Sequence, residues 1–303
     1  MKYTEFNEKT KIDHISPPWE KYMKPQDFIS YLPSYVGGKY RDTFEKKVYK
    51  NNTIGDITYY VYNPIEHGAS KDKKYPLLMF FHGRSNSLDG EICITHSGAE
   101  LYASPEYQKS IGGGAFIVVP LANEKRSCDG EIIGEWSEEY LSPIKNIFDL
   151  VCNENKDYIN KKVVLGGSAG GYFTWKFTET YPESIDICIP ISSRYVPNVE
   201  RLSIIEENNI QILVAHGRHD ELTPFDKCIA PFENYLKNMK NCYCYFPEWV
   251  KNGDGGIASL NFGFEMGQHC LINQIQANLM YIDGNPYDER FPNGITGWIK
   301  SIL

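Results

Sequence analysis

The chain has 303 residues, 42% of them hydrophobic and 23% charged, with a formal net charge of −8. That length lets a large core form without disulfide or metal staples, and the balance of apolar and charged residues excludes global disorder and fibrous repeats. A net acidic chain without a long basic run is not expected to bind nucleic acid, and the longest apolar runs, 76–81 and 115–122, are far shorter than the roughly 20 residues of a membrane helix.

Residues 1–41 carry Pro17, Pro18, Pro25 and Pro33 among aromatics with no clean periodicity, so they read as an irregular extension packed on a main body of 42–303. The opening residues lack the apolar core of a secretory leader, which leads us to expect a cytoplasmic protein. Residues 46–49 and 56–62, rich in β-branched and aromatic side chains and separated by a turn-like 51–55, predict an antiparallel hairpin at a sheet edge. The continuous apolar runs 77–81 and 116–119 predict strands covered on both faces. The spacing of Tyr140, Leu141, Ile144, Ile147, Phe148 and Val151 predicts a helix over 137–153, with Ser137 as its N-cap and Glu138 and Glu139 in its first turn. A strand at 162–165, a helix at 170–180 and strands at 186–190 and 211–215 come next. A helix at about 225–239, a strand at 242–246 and a helix-like 271–281 complete the pattern. Strands alternating with helices at this spacing argue for one α/β domain built on a doubly wound, mostly parallel sheet with an antiparallel N-terminal edge. The aperiodic stretch 246–269 is long enough to suggest a functional loop.

Eight cysteines are scattered through the chain, so most are expected as free thiols. Cys242 and Cys244 stand two apart in a strand, which puts them on one face, a spacing that does not match the usual zinc motifs.

The strongest local signal is Gly166-Gly167-Ser168-Ala169-Gly170, a G-x-S-x-G sequence between a strand and a helix. Such a turn lifts a serine hydroxyl above the sheet, and small neighbours relieve crowding around a strained backbone. A phosphate-cradling loop is the alternative, but no P-loop lysine follows and the dinucleotide pattern is not met. A serine hydroxyl needs a base, and the base needs an orienter. Asp220, on the loop after the strand 211–215, is the candidate acid; Glu221 is the alternative, and a helix-capping role for Asp220 competes. His269 is the candidate base, giving the chain order Ser, Asp, His that this motif class requires. His82 and His216 read as structural rings, and His219 is too close to the acid in sequence to face it across a nucleophile. A metal reading of His216-x-x-His219-Asp220 is disfavoured because no further ligand cluster is evident, so no metal or cofactor is expected. The backbone N–H groups of Ala169 and Arg84 are the candidate oxyanion donors.

With these pieces in hand, residues from about 44 to 303 resemble the α/β-hydrolases. They are most similar to esterases of the feruloyl esterase and polyhydroxybutyrate-depolymerase type and to relatives in the prolyl-oligopeptidase superfamily. The resemblance rests on Phe81-His82-Gly83, Gly166 to Gly171, His216-Gly217-Arg218-His219-Asp220 with Pro224, and Gly267-Gln268-His269. Arg84-Ser85-Asn86 after the His-Gly pair departs from the glycine run of lipase-like members. The resemblance implies a serine hydrolase that cleaves carboxylic esters through an acyl-enzyme, with feruloyl or acetyl esters of carbohydrates as a substrate class. A prolyl-oligopeptidase-type peptidase and a non-catalytic binding protein on the same fold are the alternatives. The expected partner is a small-molecule or oligosaccharide ester, and loops past the strand ends suggest Trp136, Arg194 and Trp249 as its contacts.

Overall fold

A computed structural model describes residues 40–88, 98–251, 253, 255–258, 264–281 and 283–302, with side chains of 264–266 left undescribed. The extension 1–41 therefore lies almost wholly outside the described residues, as does part of the long loop 246–269.

The strands are β1 (Glu45–Tyr49), β2 (Ile57–Tyr62), β3 (Tyr75–Phe81), β4 (Phe116–Pro120), β5 (Lys125–Arg126), β6 (Ile132–Ile133), β7 (Ile159–Gly167), β8 (Ile187–Ile191), β9 (Gln211–Ala215) and β10 (Cys242–Tyr245). Eight of them form one sheet in the order β1-β2-β4-β3-β7-β8-β9-β10, and β5 and β6 make a separate two-stranded ribbon. β1 and β2 pair antiparallel, as expected of the edge hairpin, and β2 is also antiparallel to β4; every pairing from β4 through to β10 is parallel.

Alternating side chains send each strand's apolar residues into two cores. Leu78, Phe80, Val163, Leu165, Ile187 and Ile189 pack on one face with Tyr102, Ile275, Ile295 and Trp298. Leu77, Met79, Phe81, Val164, Cys188 and Val214 pack on the other with Ile144, Phe148, Phe173, Phe177, Leu202 and Leu236. The continuous apolar runs are explained by this double burial: every residue of β3, β4 and β8 is buried.

The helices are α1 (Pro105–Ser110), α2 (Leu141–Glu154), α3 (Ala169–Thr180), α4 (Val199–Glu207), α5 (Phe225–Cys228), α6 (Glu233–Asn238), α7 (Phe264–His269), α8 (Ile272–Gln276) and α9 (Gly294–Ile302). Several depart from the sequence expectation for local reasons. The turn 138–140 is 3-10 and Ser137 makes no side-chain cap, so the α-helix starts at Leu141. The single helix expected over 225–239 is split into α5, a 3-10 turn at Ala230–Phe232 and α6. Pro231 sits in that turn, where it has no N–H to continue an α-helical ladder. The helix expected over 271–281 stops at Gln276, because Asn278 and Leu279 adopt φ of 60° and 54°. Helix α4, which the sequence reading passed over, is capped by the Asn198 side chain accepting the Arg201 N–H at 2.9 Å.

Seven cysteines lie among the described residues and all are free. Cys242 and Cys244 do share a face, with their sulfurs 4.0 Å apart. Among the described residues no helix is long and apolar enough to cross a membrane.

Candidate active site

Ser168 sits between β7 and α3 with φ 59° and ψ −118°, a conformation that costs a non-glycine residue free energy and persists only where the surroundings enforce it. The enforcement comes from backbone packed on backbone. A Cβ added at Gly166 would lie 2.6 Å from the Phe81 carbonyl oxygen, and one added at Gly170 would lie 2.7 Å from the His82 oxygen and collide with that of Phe81. Only hydrogen side chains let β3 run this close under the turn. The Ser168 N–H is held by the Ile191 carbonyl at 2.9 Å, and α3 begins immediately, as the Tyr172 N–H bonds the Ser168 oxygen at 3.0 Å.

On the neighbouring loops, His269 and Asp220 meet. His269 Nδ1–H donates to Asp220 Oδ2 at 2.8 Å, with Oδ1 at 3.0 Å. Both residues are buried, Asp220 to 2% exposure and His269 to 8%. The carboxylate also accepts the N–H groups of Leu222 and Thr223, at 3.0 and 2.9 Å, and the Thr223 hydroxyl at 2.8 Å. Burial alone would push the Asp220 carboxyl up, but the hydrogen bond and charge of His269, with help from the Thr223 N–H and His216, leave it below the ordinary carboxylate value. An acid so held stays ionised and fixes the tautomer of a neutral imidazole with Nδ1–H toward the carboxylate, so that Nε2 is then the acceptor.

Two consecutive residues at the end of β8 tie these parts together. Ile191 accepts the Ser168 N–H, while the Ser192 hydroxyl donates to the His269 carbonyl at 2.8 Å. Ile272, three residues after His269, abuts the residue before the serine, since a Cβ added at Gly167 would lie 3.2 Å from the Ile272 Cβ. Asp220 and His269 are thus directly bonded, and Ser168 is held by the residue next to the one that holds the His269 main chain. Among the described residues no hydrogen bond joins the Ser168 hydroxyl to the imidazole.

The loop after β3 runs alongside the serine: a Cβ added at Gly83 would lie 3.9 Å from the Ser168 Cβ. The main-chain N–H of Arg84 has no hydrogen-bond partner among the described residues. The Ala169 N–H, in the first turn of α3, has no intrahelical acceptor. The loop is held from below by Glu124, buried to 7%, which accepts the N–H groups of Ser85 and Ser87 at 2.8 and 3.0 Å and the Ser87 hydroxyl at 2.7 Å. His82 is fully buried; its Nδ1–H donates to the Gly83 carbonyl at 2.7 Å and its Nε2 accepts the Ala122 N–H at 3.0 Å. Desolvation lowers its pKa, partly countered by Glu124 and the Gly83 carbonyl. It is a neutral structural ring, in keeping with the sequence reading. His216 is also fully buried, with Nε2–H donating to the Thr223 carbonyl at 2.7 Å, and desolvation lowers its pKa too.

The expected substrate contacts fare differently. Trp136 is corrected to a core residue. It is 2% exposed, stacks on Phe173 with centroids 4.6 Å apart, and donates its indole N–H to the His82 carbonyl at 3.0 Å, so it braces the loop from beneath. Arg194 is exposed, with its guanidinium 5.1 Å from the centre of the Tyr172 ring one helical turn beyond Ser168. Trp249 is 37% exposed and stacks on His219 at 3.7 Å, in a cleft whose lining includes neither Ser168 nor His269. The Arg84 side chain reaches Glu135, at 3.2 Å. Sequence reasoning missed Thr223, Ser192 and Glu124. Thr223, three residues after the acid in an Asp-x-x-Thr spacing suited to back-bonding the carboxylate, offered the only local signal.

No protein-family model matches the chain, and no curated protein resembles it significantly. Among solved structures, a thermostable esterase is similar over 71% of this chain and 57% of its own, with TM-score 0.55 and 22% identity. A ferulic acid esterase from the anaerobic fungus Anaeromyces mucronatus aligns over 78% of this chain and 95% of its own (TM-score 0.47, 16% identity). An acylaminoacyl peptidase aligns over 68% of this chain and 37% of its own (TM-score 0.43, 15% identity). The chain thus spans little more than half the length of the first of these and a smaller share of the peptidase. The strand order, the serine turn between β7 and α3 and the likeness to the thermostable esterase together establish that the chain has the α/β-hydrolase fold.

Proposed function

We propose that the protein is a serine hydrolase of carboxylic esters, with feruloyl or acetyl esters of carbohydrates as its substrate class. The observation that carries this reading is the buried Asp220–His269 pair, anchored through Ser192 to the strand end whose preceding residue holds the strained Ser168. In this mechanism Ser168 Oγ attacks the ester carbonyl while His269 Nε2 takes its proton. The developing oxyanion is met by the N–H groups of Ala169 and Arg84. His269 then protonates the departing alcohol, leaving an acyl-enzyme. Water, deprotonated by the same imidazole, releases the acid and restores the serine. Asp220 holds the ring in the tautomer this requires and stabilises the imidazolium.

Turnover of p-nitrophenyl acetate and methyl ferulate is the test. Substituting Ser168→Ala is expected to lower turnover by roughly 10⁴-fold and abolish labelling by a fluorophosphonate, since members of such a triad act as a unit. Turnover unchanged by that substitution removes the assignment. Cleavage of proline p-nitroanilides without ester cleavage would replace the substrate class while keeping the nucleophile.

A further inference from the structure

The cleft that holds Trp249, of about 570 Å³, lies along the β10 edge of the sheet, within the roughly 300–1,000 Å³ usual for small-ligand sites. Neither Ser168 nor His269 lines it. Its walls alternate flat aromatic faces with planar hydrogen-bonding groups. Trp249 presents its partly exposed indole, backed by His219 in a stack tilted by only 13°. Tyr281 and Tyr287 offer a second aromatic surface, with ring centres 3.9 Å apart and planes tilted by 36°. Between them the floor is built on hydrogen bonds: Tyr245 Oη donates to Gln274 Oε1 at 2.7 Å, and Gln274 Nε2 donates to the Lys251 carbonyl at 2.9 Å.

The charges of the recess narrow the ligand further. Arg218 and Lys237 both bind Glu233, each at 2.7 Å, and Arg290 binds Asp288 at 2.6 Å. Lys251 is different. Its main chain is pinned by Gln274 while its side chain is exposed, and its ammonium forms no ion pair among the described residues. Glu248, also in the lining, is engaged by His219 at 3.1 Å, which leaves Lys251 as the lining cation without a carboxylate partner among the described residues and suits a ligand with apolar ring faces, many hydroxyls and a single carboxylate per unit. A polyphosphate would need several free cations, and a purely apolar ligand would leave the polar floor unpaired.

We infer that this recess binds an acidic oligosaccharide, with sugar faces on Trp249 and the Tyr281–Tyr287 pair and a uronate carboxylate at Lys251. The site is independent of the proposed esterase chemistry and would stand if Ser168 proved not to be a nucleophile.

The test uses the full chain carrying Ser168→Ala, which prevents turnover, and calorimetric titration with trigalacturonate, the neutral xylotriose and triglutamate. Saturable binding of trigalacturonate is expected, tighter than xylotriose. Adding Trp249→Ala should weaken trigalacturonate at least tenfold. Adding Lys251→Met should bring the acidic and neutral sugars to within about twofold of each other. Both side chains are solvent-facing, and thermal melting of each variant checks that it folds. Absence of saturable binding, affinity unmoved by either substitution, or triglutamate binding as tightly as the sugar would overturn the proposal.

Discussion

The serine turn and the acid–base pair occupy neighbouring loops at one end of the sheet, but they are held by different forces. Around Ser168 the constraint is steric: the backbones of β3, β7 and α3 approach so closely that Gly166 and Gly170 have no room for a methyl group. Around Asp220 and His269 the constraint is polar: a buried carboxylate gathers two backbone N–H groups, one hydroxyl and one imidazole. The steric arrangement tolerates no side-chain growth yet needs no particular charge. The polar one tolerates isosteres but responds to the loss of one proton donor. A substitution of the turn's glycines should therefore be read mainly in stability, and one at the pair, on the proposed chemistry, mainly in rate and pH dependence.

The largest effect that would sharpen this contrast is at Gly170. Gly170→Ala must push α3 away from β3, at a cost of about 3 kcal/mol, the upper range for overpacking a rigid site. Denaturant unfolding should show the loss directly, and activity should fall with it; full stability in this variant would break the steric account. A smaller effect is expected at Thr223. Thr223→Val keeps the shape and the backbone N–H but removes the hydroxyl that donates to Asp220 Oδ2 at 2.8 Å. Loss of one hydrogen bond to a charged acceptor, about 1.5 kcal/mol, corresponds to about a tenfold fall in kcat/KM with KM little changed. Thr223→Ser should restore most of it. If the valine variant keeps full activity, the hydroxyl does not position the acid.

The same division explains what was legible in the sequence. Backbone-enforced features leave local marks: the glycines around Ser168 and the continuous apolar runs of β3 and β4 announced both the turn and the doubly covered sheet. Asp220 and His269 could be chosen from chain order and from their places after strands, because the class of motif fixes that order. Their supporting groups could not be read in the same way. Ser192 and Glu124 act through hydrogen bonds to residues 77 and 37–39 positions distant, and nothing in their immediate neighbours marks a serine or glutamate as destined for burial. Trp136 was misplaced for a related reason. An aromatic after a strand end fits both a pocket wall and a core brace, and only the tertiary partners Phe173 and His82 decide between them.

The gentlest probe of the polar half is its titration. The Asp220 carboxyl is lowered in the folded chain, because the His269 and Thr223 interactions outweigh the burial that would raise it. As pH falls, the unfolded carboxyl, with a pKa of about 3.9, binds its proton before the folded one does. The stabilisation from this group is therefore complete above that value and is lost as pH falls through the folded pKa. Asp220→Asn has no such proton to bind. The stability difference between wild type and Asp220→Asn should be largest near neutrality and shrink below about pH 4, where the histidines of the unfolded chain are already charged. Thermal melts from pH 7 to 2 measure that gap. A gap that stays constant to the acid end would mean that the carboxylate gains nothing from its partners, and the polar cluster would then owe its geometry to packing, as the serine turn does.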